Sequence, residues 1–257
     1  MASTILSRTP GSVGNRRKWT FSTWMKIAGL GTSRTLFGSP SDGSNYNQIW
    51  FSGNHFRFDQ QTSGSTVASL KPTRLFKDDG AWYHIVCVWD SDNAAAGDRM
   101  IVYVNGVRET VFDNEANPAL NLDSYVNSTS YPLEVGGMNS GEYFNGSMAH
   151  SHFCDGYAYA ASDFGETDST SGIWVAKTSP SVSYGTNGFF LKYQDTSAFG
   201  DDSSGNNNDM AVSGTMTQTK DTPDNNFSTG SSLLRQGYPS SITIANGNNT
   251  ITDGGSD

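Results

Sequence analysis

Four groups of residues in this sequence combine side-chain types and spacing that could support binding or catalysis. Each group suits a different ligand or reaction, and each also has an ordinary structural interpretation. The groups are Asp201, Asp202, Asn206, Asn208 and Asp209 in one loop; His55, Arg57 and Asp59 at alternate positions; His150 and His152, followed by Asp155; and Glu166 with Asp168.

The first group is an acidic, amide-rich loop between residues 201 and 209 that also contains glycine. Alternating side-chain oxygens on such a loop can coordinate calcium, although the spacing here differs from that of an EF-hand. The sequence therefore predicts a calcium site formed by Asp201, Asp202, Asn206 and Asn208, and it suggests no other cofactor. Asp, Asn and Gly are also the usual residues of turns, so a plain turn cluster is the alternative.

The second group lies on a predicted strand that follows the turn Ser52–Asn54. His55, Arg57 and Asp59 share one face of this strand, while Phe56 and Phe58 share the other. Planar polar side chains next to aromatic rings are the groups that hold sugars. The sequence therefore predicts a glycan-binding face at these three residues, with the solvated outer face of a sheet as the alternative.

The other two groups are incomplete as sites. His150 and His152 are compatible with zinc, but no cysteine or carboxylate completes a set of four ligands, so packing and hydrogen bonding are the expected roles. A glycosidase needs an acid and a nucleophile or base at a defined separation. Glu166 and Asp168 come nearest to such a pair, and we expect them in a solvated loop. The sequence contains neither a serine nucleophile elbow nor a Walker loop.

Composition excludes several classes of function. The chain has 257 residues, a formal net charge of −9 and a mean hydropathy of −0.49. This charge repels phosphate backbones, which argues against nucleic-acid binding. No apolar stretch resembles a signal peptide or a membrane span, so we expect neither secretion nor membrane insertion. Cys87 and Cys154 lie in apolar blocks, which favours buried free thiols over a disulfide bridge and a reducing cytoplasm as the place of synthesis.

A series of strand-like blocks must position these residues. Each block is rich in β-branched or aromatic residues and is bounded by turn formers. The pattern predicts an all-β fold, a two-sheet antiparallel β-sandwich with no helix of three turns. The blocks are Trp19–Lys26, Trp82–Trp89, Ile101–Val107, Leu133–Gly137 and Phe144–Met148.

The strongest local signal is Asn105-Gly106, which predicts a tight type I′ hairpin with positive φ at both residues. In this hairpin Ile101–Val104 would pair with Val107–Val111. The polar residues 112–130 would then form a long loop. One β-domain is expected over residues 1–227, with residues 165–227 as closing strands and loops. Residues 228–257 would be a polar tail or an inter-subunit arm containing a strand at Ser241–Ile244.

The order of the blocks resembles that of the laminin-G-like and concanavalin A-like jelly rolls. Four motifs carry this resemblance: Phe21–Met25, Trp82–Ile85, Val102–Gly106 and Phe144–Met148. The second half of the chain is similar to the laminin-G-like virion proteins of tailed bacteriophages, especially marine ones. The runs that carry this similarity are His150–Gly156, Ser162–Glu166, Tyr184–Phe189, Asp202–Asp209 and Asp221–Phe227.

The resemblance spans roughly residues 15–230 and implies a function. It implies a non-enzymatic structural component of a phage particle, such as a capsid decoration, fibre or appendage, made in the host cytoplasm and located in the virion. Its partners would be other virion proteins and copies of itself, with a trimer as the first expectation. A glycan-binding adhesin that recognises host surface glycans is the first alternative. A carbohydrate-active enzyme is the second, although the nearest match here to the Glu-x-Asp-x-x-Glu motif of glycoside hydrolases with this fold, at Glu166 and Asp168, lacks the final glutamate.

Overall fold

The computed structural model describes residues 3–28, 33–227, 230, 242–245 and 250–253. Its only helical segments in this part of the chain are two 3-10 turns, at Ala96–Asp98 and Ala161–Asp163, and neither has the length or apolar character to cross a membrane. The strands, in chain order, are β1 (Ile5–Arg8), β2 (Lys18–Ile27), β3 (Ser33–Asp42), β4 (Asn45–Ser52), β5 (His55–Thr62), β6 (Ser65–Pro72), β7 (Trp82–Asp90), β8 (Met100–Val104), β9 (Val107–Arg108), β10 (Phe112–Ala116), β11 (Leu133–Val135), β12 (Gly146–Asp155), β13 (Gly165–Thr167), β14 (Trp174–Ala176), β15 (Phe189–Leu191), β16 (Ala211–Ser213), β17 (Ile242–Ala245) and β18 (Thr250–Asp253).

Two large antiparallel sheets form a sandwich. One has eight strands in the order β10-β6-β5-β4-β3-β11-β1-β16, and the other has six in the order β15-β12-β2-β7-β8-β9. Their inner faces meet in an aromatic core, where the rings of Phe21 and Phe37 stack 4.5 Å apart across the two sheets. The predicted all-β, two-sheet antiparallel sandwich is confirmed.

Strand β2 is covered on both faces, as its mixed aromatic pattern predicts. Trp19 and Phe21 belong to the core between the sheets. On the opposite face of the six-stranded sheet, residues 157–187 form a cover that includes Phe164 and Trp174, and a second apolar cluster lies beneath it. Cys87 lies in the first cluster and Cys154 in the second. Both are buried free thiols, as predicted, and burial raises the pKa of each.

The Asn105-Gly106 hairpin is confirmed, with φ values of 48° and 83°. The prediction that its second strand continues to Val111 is wrong, because β9 ends at Arg108 and the chain then crosses to the eight-stranded sheet. Val107 and Val111 are each 62% exposed, so a longer edge strand would have had no surface to pack against. The crossing instead packs Phe112 against the core.

The predicted loop at residues 112–130 is also corrected in part. Its first residues form β10, which pairs with β6 at the edge of the eight-stranded sheet. The outward-facing side chains of an edge strand contact solvent, and the polar sequence of β10 therefore concealed it. In the tail, β17 confirms most of the predicted strand, while Ser241 lies outside the described residues. Strand β17 pairs with β18, which the sequence did not indicate.

Candidate functional site on the eight-stranded sheet

Alternate residues of β4 and β5 point away from the core and form what we call the outer face. Ile49, Phe51, Phe56 and Phe58 point into the core and are buried, so the two-residue periodicity of a strand fixes the outward positions. The tight turn between the strands sets the register, in which Trp50 lies opposite Arg57 and Gln48 lies opposite Asp59. The outer face at this point consists of Tyr46, Gln48, Trp50, Arg57 and Asp59.

Asp59 organises one part of the outer face. Its Oδ2 accepts hydrogen bonds from Trp50 Nε1 at 2.9 Å and from Arg57 Nε at 2.8 Å. Its Oδ1 accepts a hydrogen bond from Ser69 Oγ at 2.6 Å. The Arg57 guanidinium lies 5.3 Å from the centre of the Trp50 ring, a cation–π distance. The half-exposed indole is therefore held in one orientation by both a hydrogen bond and a charge.

The structure brings together only two of the three residues predicted to bind a glycan. Arg57 and Asp59 are hydrogen-bonded partners. His55 lies at the turn end of β5, where its Nδ1 is 3.9 Å from a carboxylate oxygen of Asp113. Asp113 also pairs with Lys71 at 3.1 Å. His55 therefore belongs to a separate charged cluster between β5, β6 and β10.

A cavity of about 340 Å³ lies over β3 and β4 and includes Tyr46 and Gln48 of the outer face. One wall is the outer face of β4, and the other is the loop between β11 and β12. This loop can lie on the sheet because β3 has a glycine beneath it: a Cβ at Gly38 would lie 2.9 Å from the sulfur of Met138 and 3.0 Å from a backbone oxygen. The lining residues are Gly43, Tyr46, Gln48, Met138, Asn139, Gly141 and Glu142.

The loop between β11 and β12, residues 136–145, has an unusual backbone. Asn139, Ser140 and Glu142 have φ values of 52°, 53° and 47°. Met138 and Gly141 exchange two backbone hydrogen bonds, which accounts for the left-handed pair between them as a tight turn. Glu142 lies outside that turn, and positive φ is uncommon for glutamate. Strained residues of this kind concentrate at functional sites.

Polar contacts hold the loop against the sheet. The Glu142 carboxylate accepts hydrogen bonds from Gln48 Nε2 and, at 3.3 Å, from Thr35 Oγ1. Glu134 Oε2 accepts a hydrogen bond from the Asn139 backbone N–H at 2.9 Å. Burial raises the pKa of Glu134, and this hydrogen bond opposes the rise. The result is a preformed cavity with both acceptor and donor groups along its walls.

Sequence reasoning missed most of the residues around this cavity. Tyr46, Gln48 and Trp50 alternate along one strand, and this alternation is visible in the sequence. The hairpin register could have placed them beside Arg57 and Asp59. Glu142 is 94 residues from Gln48 in the chain, and no local signal connects them.

The loop predicted to bind calcium is closely hydrogen-bonded. The two carboxylate oxygens of Asp202 accept hydrogen bonds from the backbone N–H groups of Phe190, Ser204 and Asn208 at 2.8–2.9 Å. The side-chain amides of Asn206 and Asn208 donate to backbone carbonyls of residues 185–188. Asp201 is exposed. Calcium binding at this loop stays a prediction.

The two histidines of β12 pack as aromatic side chains. A bulge after Ala149, with φ of 49° at His150, turns both toward Phe190, with ring centres 5.9 and 3.9 Å away. Asp155 accepts hydrogen bonds from Asn15, Asn127 and Asn187, and none of these partners is a histidine. Across the described ranges, no group of three or more His, Cys, Asp or Glu side chains is arranged to hold a metal ion.

The two acidic residues considered for hydrolysis lie in a small hairpin. Glu166 is exposed on β13. The Asp168 carboxylate accepts hydrogen bonds from the backbone N–H groups of Thr170 and Ser171 and from the Ser171 hydroxyl. These bonds lower the pKa of Asp168 and close a turn. Asp168 therefore lies in a solvated turn, as expected, whereas Glu166 is exposed on a short strand instead of in a loop.

A family model described as the concanavalin A-like lectin/glucanases superfamily matches residues 3–163, which is more than half of the chain. The chain belongs to this superfamily. The match includes all the residues of the outer face and of the cavity. No curated protein has a significant match to the sequence.

Solved structures with similar folds have low sequence identity to this superfamily member. A candidate carbohydrate-binding protein from Bacteroides ovatus has a TM-score of 0.50 at 12% identity, with 83% of this chain and 58% of that chain covered. A heptameric SAP-like pentraxin from Limulus polyphemus has a TM-score of 0.45 at 15% identity, covering 68% and 86%. Tailspike protein 2 of Escherichia coli O157:H7 bacteriophage CAB120 has a TM-score of 0.43 at 13% identity, covering 62% and 22%. At these identities the likeness concerns the fold alone.

Proposed function

We propose that this chain is a non-enzymatic carbohydrate-binding module and that the glycan binds across the outer face and its cavity. One observation carries the proposal. Two half-exposed aromatic rings, Tyr46 and Trp50, lie on one strand beside a preformed cavity of about 340 Å³ whose mixed lining includes Gln48 and Glu142. Ligand sites are typically preformed clefts that combine apolar surface with a few placed polar groups. Membership of a superfamily that includes lectins supports this proposal.

The chemistry of the cavity suits a sugar. Aromatic faces pack against the apolar C–H side of a sugar ring, while carboxylate and amide groups accept and donate hydrogen bonds to hydroxyls. Glu142 and Gln48 provide both kinds of partner in adjacent positions. Arg57 and Asp59 act as positioning residues, because they hold the Trp50 ring in place.

The same contacts favour binding over hydrolysis. A glycosidase needs two carboxyl groups on either side of the scissile bond, one of them as a general acid. On the outer face, Asp59 accepts three hydrogen bonds and Glu142 accepts two. Glu166 and Asp168 lie in an exposed hairpin instead. We expect Glu166→Gln and Asp168→Asn to leave every polysaccharide assay unchanged, and loss of a wild-type hydrolase activity in either variant would contradict this.

A glycan array followed by calorimetry tests the binding proposal. We expect Trp50→Ala and Tyr46→Ala each to raise the Kd of the best ligand by at least about tenfold, or about 1.4 kcal/mol of binding free energy. Tyr157→Ala is the matched control, because Tyr157 is an aromatic residue 41% exposed that stacks on Tyr159, in the cover of the other sheet. Wild-type protein that binds no glycan, or equal losses in all three variants, would refute the site.

A location in a phage particle is our second proposal and rests on the sequence resemblance. The module would then be a capsid decoration, fibre or appendage, and host surface glycans would be its ligands. Within the described residues, β17 and β18 pair only with each other. A two-stranded hairpin is marginal alone, and its open edges can pair with another chain. We propose that residues 228–257 are an arm that packs on a second copy, with a trimer as the first expectation.

Sedimentation and labelling test this second proposal. Deletion of residues 230–257 should weaken self-association while the sandwich stays folded, as judged by circular dichroism. A labelled antibody raised against this chain should bind to purified phage particles. A full-length protein that is monomeric at high concentration and absent from particles would contradict both the arm and the location.

A further inference from the structure

A buried lysine joins the end of β2 to the segment Asp221–Phe227. The side chain of Lys26 is only 3% exposed, and that of its partner Asp221 is 5% exposed. Lys26 Nζ donates to Asp221 Oδ2 at 2.8 Å and to the side-chain oxygen of Asn226 at 2.8 Å. A third hydrogen bond of 2.9 Å goes to the backbone carbonyl of Phe227. All three donors of the ammonium group are therefore engaged, each by a different kind of oxygen.

The partners of Lys26 are themselves held in place. Asp221 Oδ1 accepts a hydrogen bond from Trp82 Nε1 at 2.9 Å, which leaves Oδ2 for the lysine. Asn226 Nδ2 donates to the Gly80 carbonyl at 3.1 Å. The carboxamide is therefore fixed at both ends, with its oxygen toward the lysine and its nitrogen toward the loop before β7.

An amine, a carboxylate and a carboxamide thus meet at hydrogen-bond distance, with the amine and carboxylate shielded from water. We propose that Lys26 and Asn226 form an intramolecular isopeptide bond and that Asp221 accepts the proton that the Lys26 ammonium must lose first. The carbon to be attacked, Asn226 Cγ, is bonded directly to the oxygen that Lys26 already contacts. This is a covalent modification that the glycan-binding proposal does not require.

The reaction balances without an added reagent. A proton moves from the Lys26 ammonium to Asp221 Oδ2, which frees the lone pair on Nζ. Nζ then attacks Asn226 Cγ, and a second proton passes from Nζ to Nδ2. The new Nζ–Cγ bond forms as the Cγ–Nδ2 bond breaks, and ammonia leaves. The products are a secondary amide, one ammonia and a protonated Asp221, which returns its proton to the departing ammonia or to water.

Burial and orientation favour each step. A buried ion pair is stabilised less by solvent than an exposed one, so proton transfer to give two neutral groups becomes accessible. Fixing the amine beside the carbonyl replaces a bimolecular encounter with an intramolecular one. Asn226 is exposed at the surface, so ammonia can diffuse away. Its loss makes the bond irreversible in dilute solution.

The bond would fasten the C-terminal end of the sandwich to a central strand. Strand β2 lies between β12 and β7 in the six-stranded sheet. The segment Asp221–Phe227 immediately precedes residues 228–257. A load applied through that tail would therefore reach β2 directly instead of peeling away β15 and the loops that follow it. The sequence resemblance had marked Asp221–Phe227 without assigning it a role.

Mass spectrometry of the purified full-length chain tests the proposal. We expect the intact mass to be lower than the sequence mass by one ammonia. After unfolding and trypsin digestion, Lys26 should resist cleavage, and a branched peptide should join Trp19–Arg34 to Asp221–Arg235. Asn226→Ala removes the attacked group and retains the Lys26–Asp221 ion pair, so it should fold and have the full mass. Asn225→Ala is the matched control and should still form the bond.

The branched peptide also separates this reaction from succinimide formation at Asn-Gly sequences, which releases ammonia without linking two peptides. We expect Asn226→Ala to lower the Tm relative to Asn225→Ala, because it removes a covalent cross-link across most of the chain. Cleavage at Lys26 in unfolded wild-type protein, with no branched peptide, would overturn the proposal.

Discussion

His84 contacts the cover of the six-stranded sheet, and we predict that it makes the stability of the protein depend on pH. This residue is on β7 and is fully buried. Its Nδ1 lies 3.0 Å from Trp174 Nε1, and its Nε2 lies 2.9 Å from Ser22 Oγ. An indole N–H can only donate, so Nδ1 must be the acceptor and the imidazole must be neutral. Its ring stacks on the ring of Trp24, with ring centres 4.9 Å apart, and the centre of the Trp174 ring is 6.0 Å away.

Burial, assisted by the nearby His150, lowers the pKa of His84 from 6.5 to about 3. In the unfolded chain His84 therefore binds a proton below pH 6.5, whereas in the folded chain it binds one only near pH 3. The stabilisation is present above pH 6.5 and is lost as pH falls toward 3. At about 1.4 kcal/mol for each pKa unit, the total approaches about 5 kcal/mol, with a slope of about 1.4 kcal/mol per pH unit.

Urea denaturation followed by tryptophan fluorescence at pH 7.5, 6, 5 and 4 measures this slope. Burial also lowers the pKa of His152, so the wild-type slope contains more than one proton. The variant His84→Gln should lose about 1.4 kcal/mol per pH unit of that slope between pH 6 and 4, whatever its stability at pH 7.5. Val86→Ala removes a buried neighbour on the same strand face and should lower stability without changing the slope.

Equal slopes for the wild type and His84→Gln would refute the reasoning. The same would hold if Val86→Ala reduced the slope as much as His84→Gln, because the pH dependence would then follow general destabilisation. Loss of the cover should precede global unfolding as pH falls, since protonation of Nδ1 leaves two donors facing each other. Hydrogen exchange of the β13–β14 hairpin amides should therefore accelerate first.

Three further predictions concern the turns, the thiols and calcium. Gly106→Ala should lower the free energy of unfolding by more than the roughly 1–2 kcal/mol that an alanine in the left-handed region costs, because the new Cβ would lie 2.7 Å from the Trp174 ring. Gly53 has a φ of 61° and open space around it, so Gly53→Ala should lower the free energy of unfolding only by the cost of the left-handed backbone. Urea denaturation measures both variants. The two cysteines should react with a thiol reagent only after denaturation, and non-reducing mass analysis should find no bridge. A chelator should lower the Tm through the loop Asp201–Asp209, and Asp201→Asn should abolish that effect; an unchanged Tm in the wild type would favour a plain turn cluster.

Local patterns in the sequence determined the class of fold. The turn at Asn105-Gly106 depends on the backbone preferences of two adjacent residues, and it formed as predicted. The alternation of His55, Arg57 and Asp59 against Phe56 and Phe58 placed each set on the correct face. Burial of both cysteines followed from the apolar character of their strands. These features depend on neighbours within a few residues, and the sequence contains that information.

Tertiary structure alone decided where strands end and which side chains meet. The hairpin stopped at Arg108 because a longer edge strand had no surface to pack on, a fact of the whole sandwich. The cavity combines Gln48 with Glu142, and the buried cluster combines Lys26 with Asp221, 195 residues away. Contacts this remote depend on how the sheets stack and where loops fold back, so residue types and spacing cannot specify them.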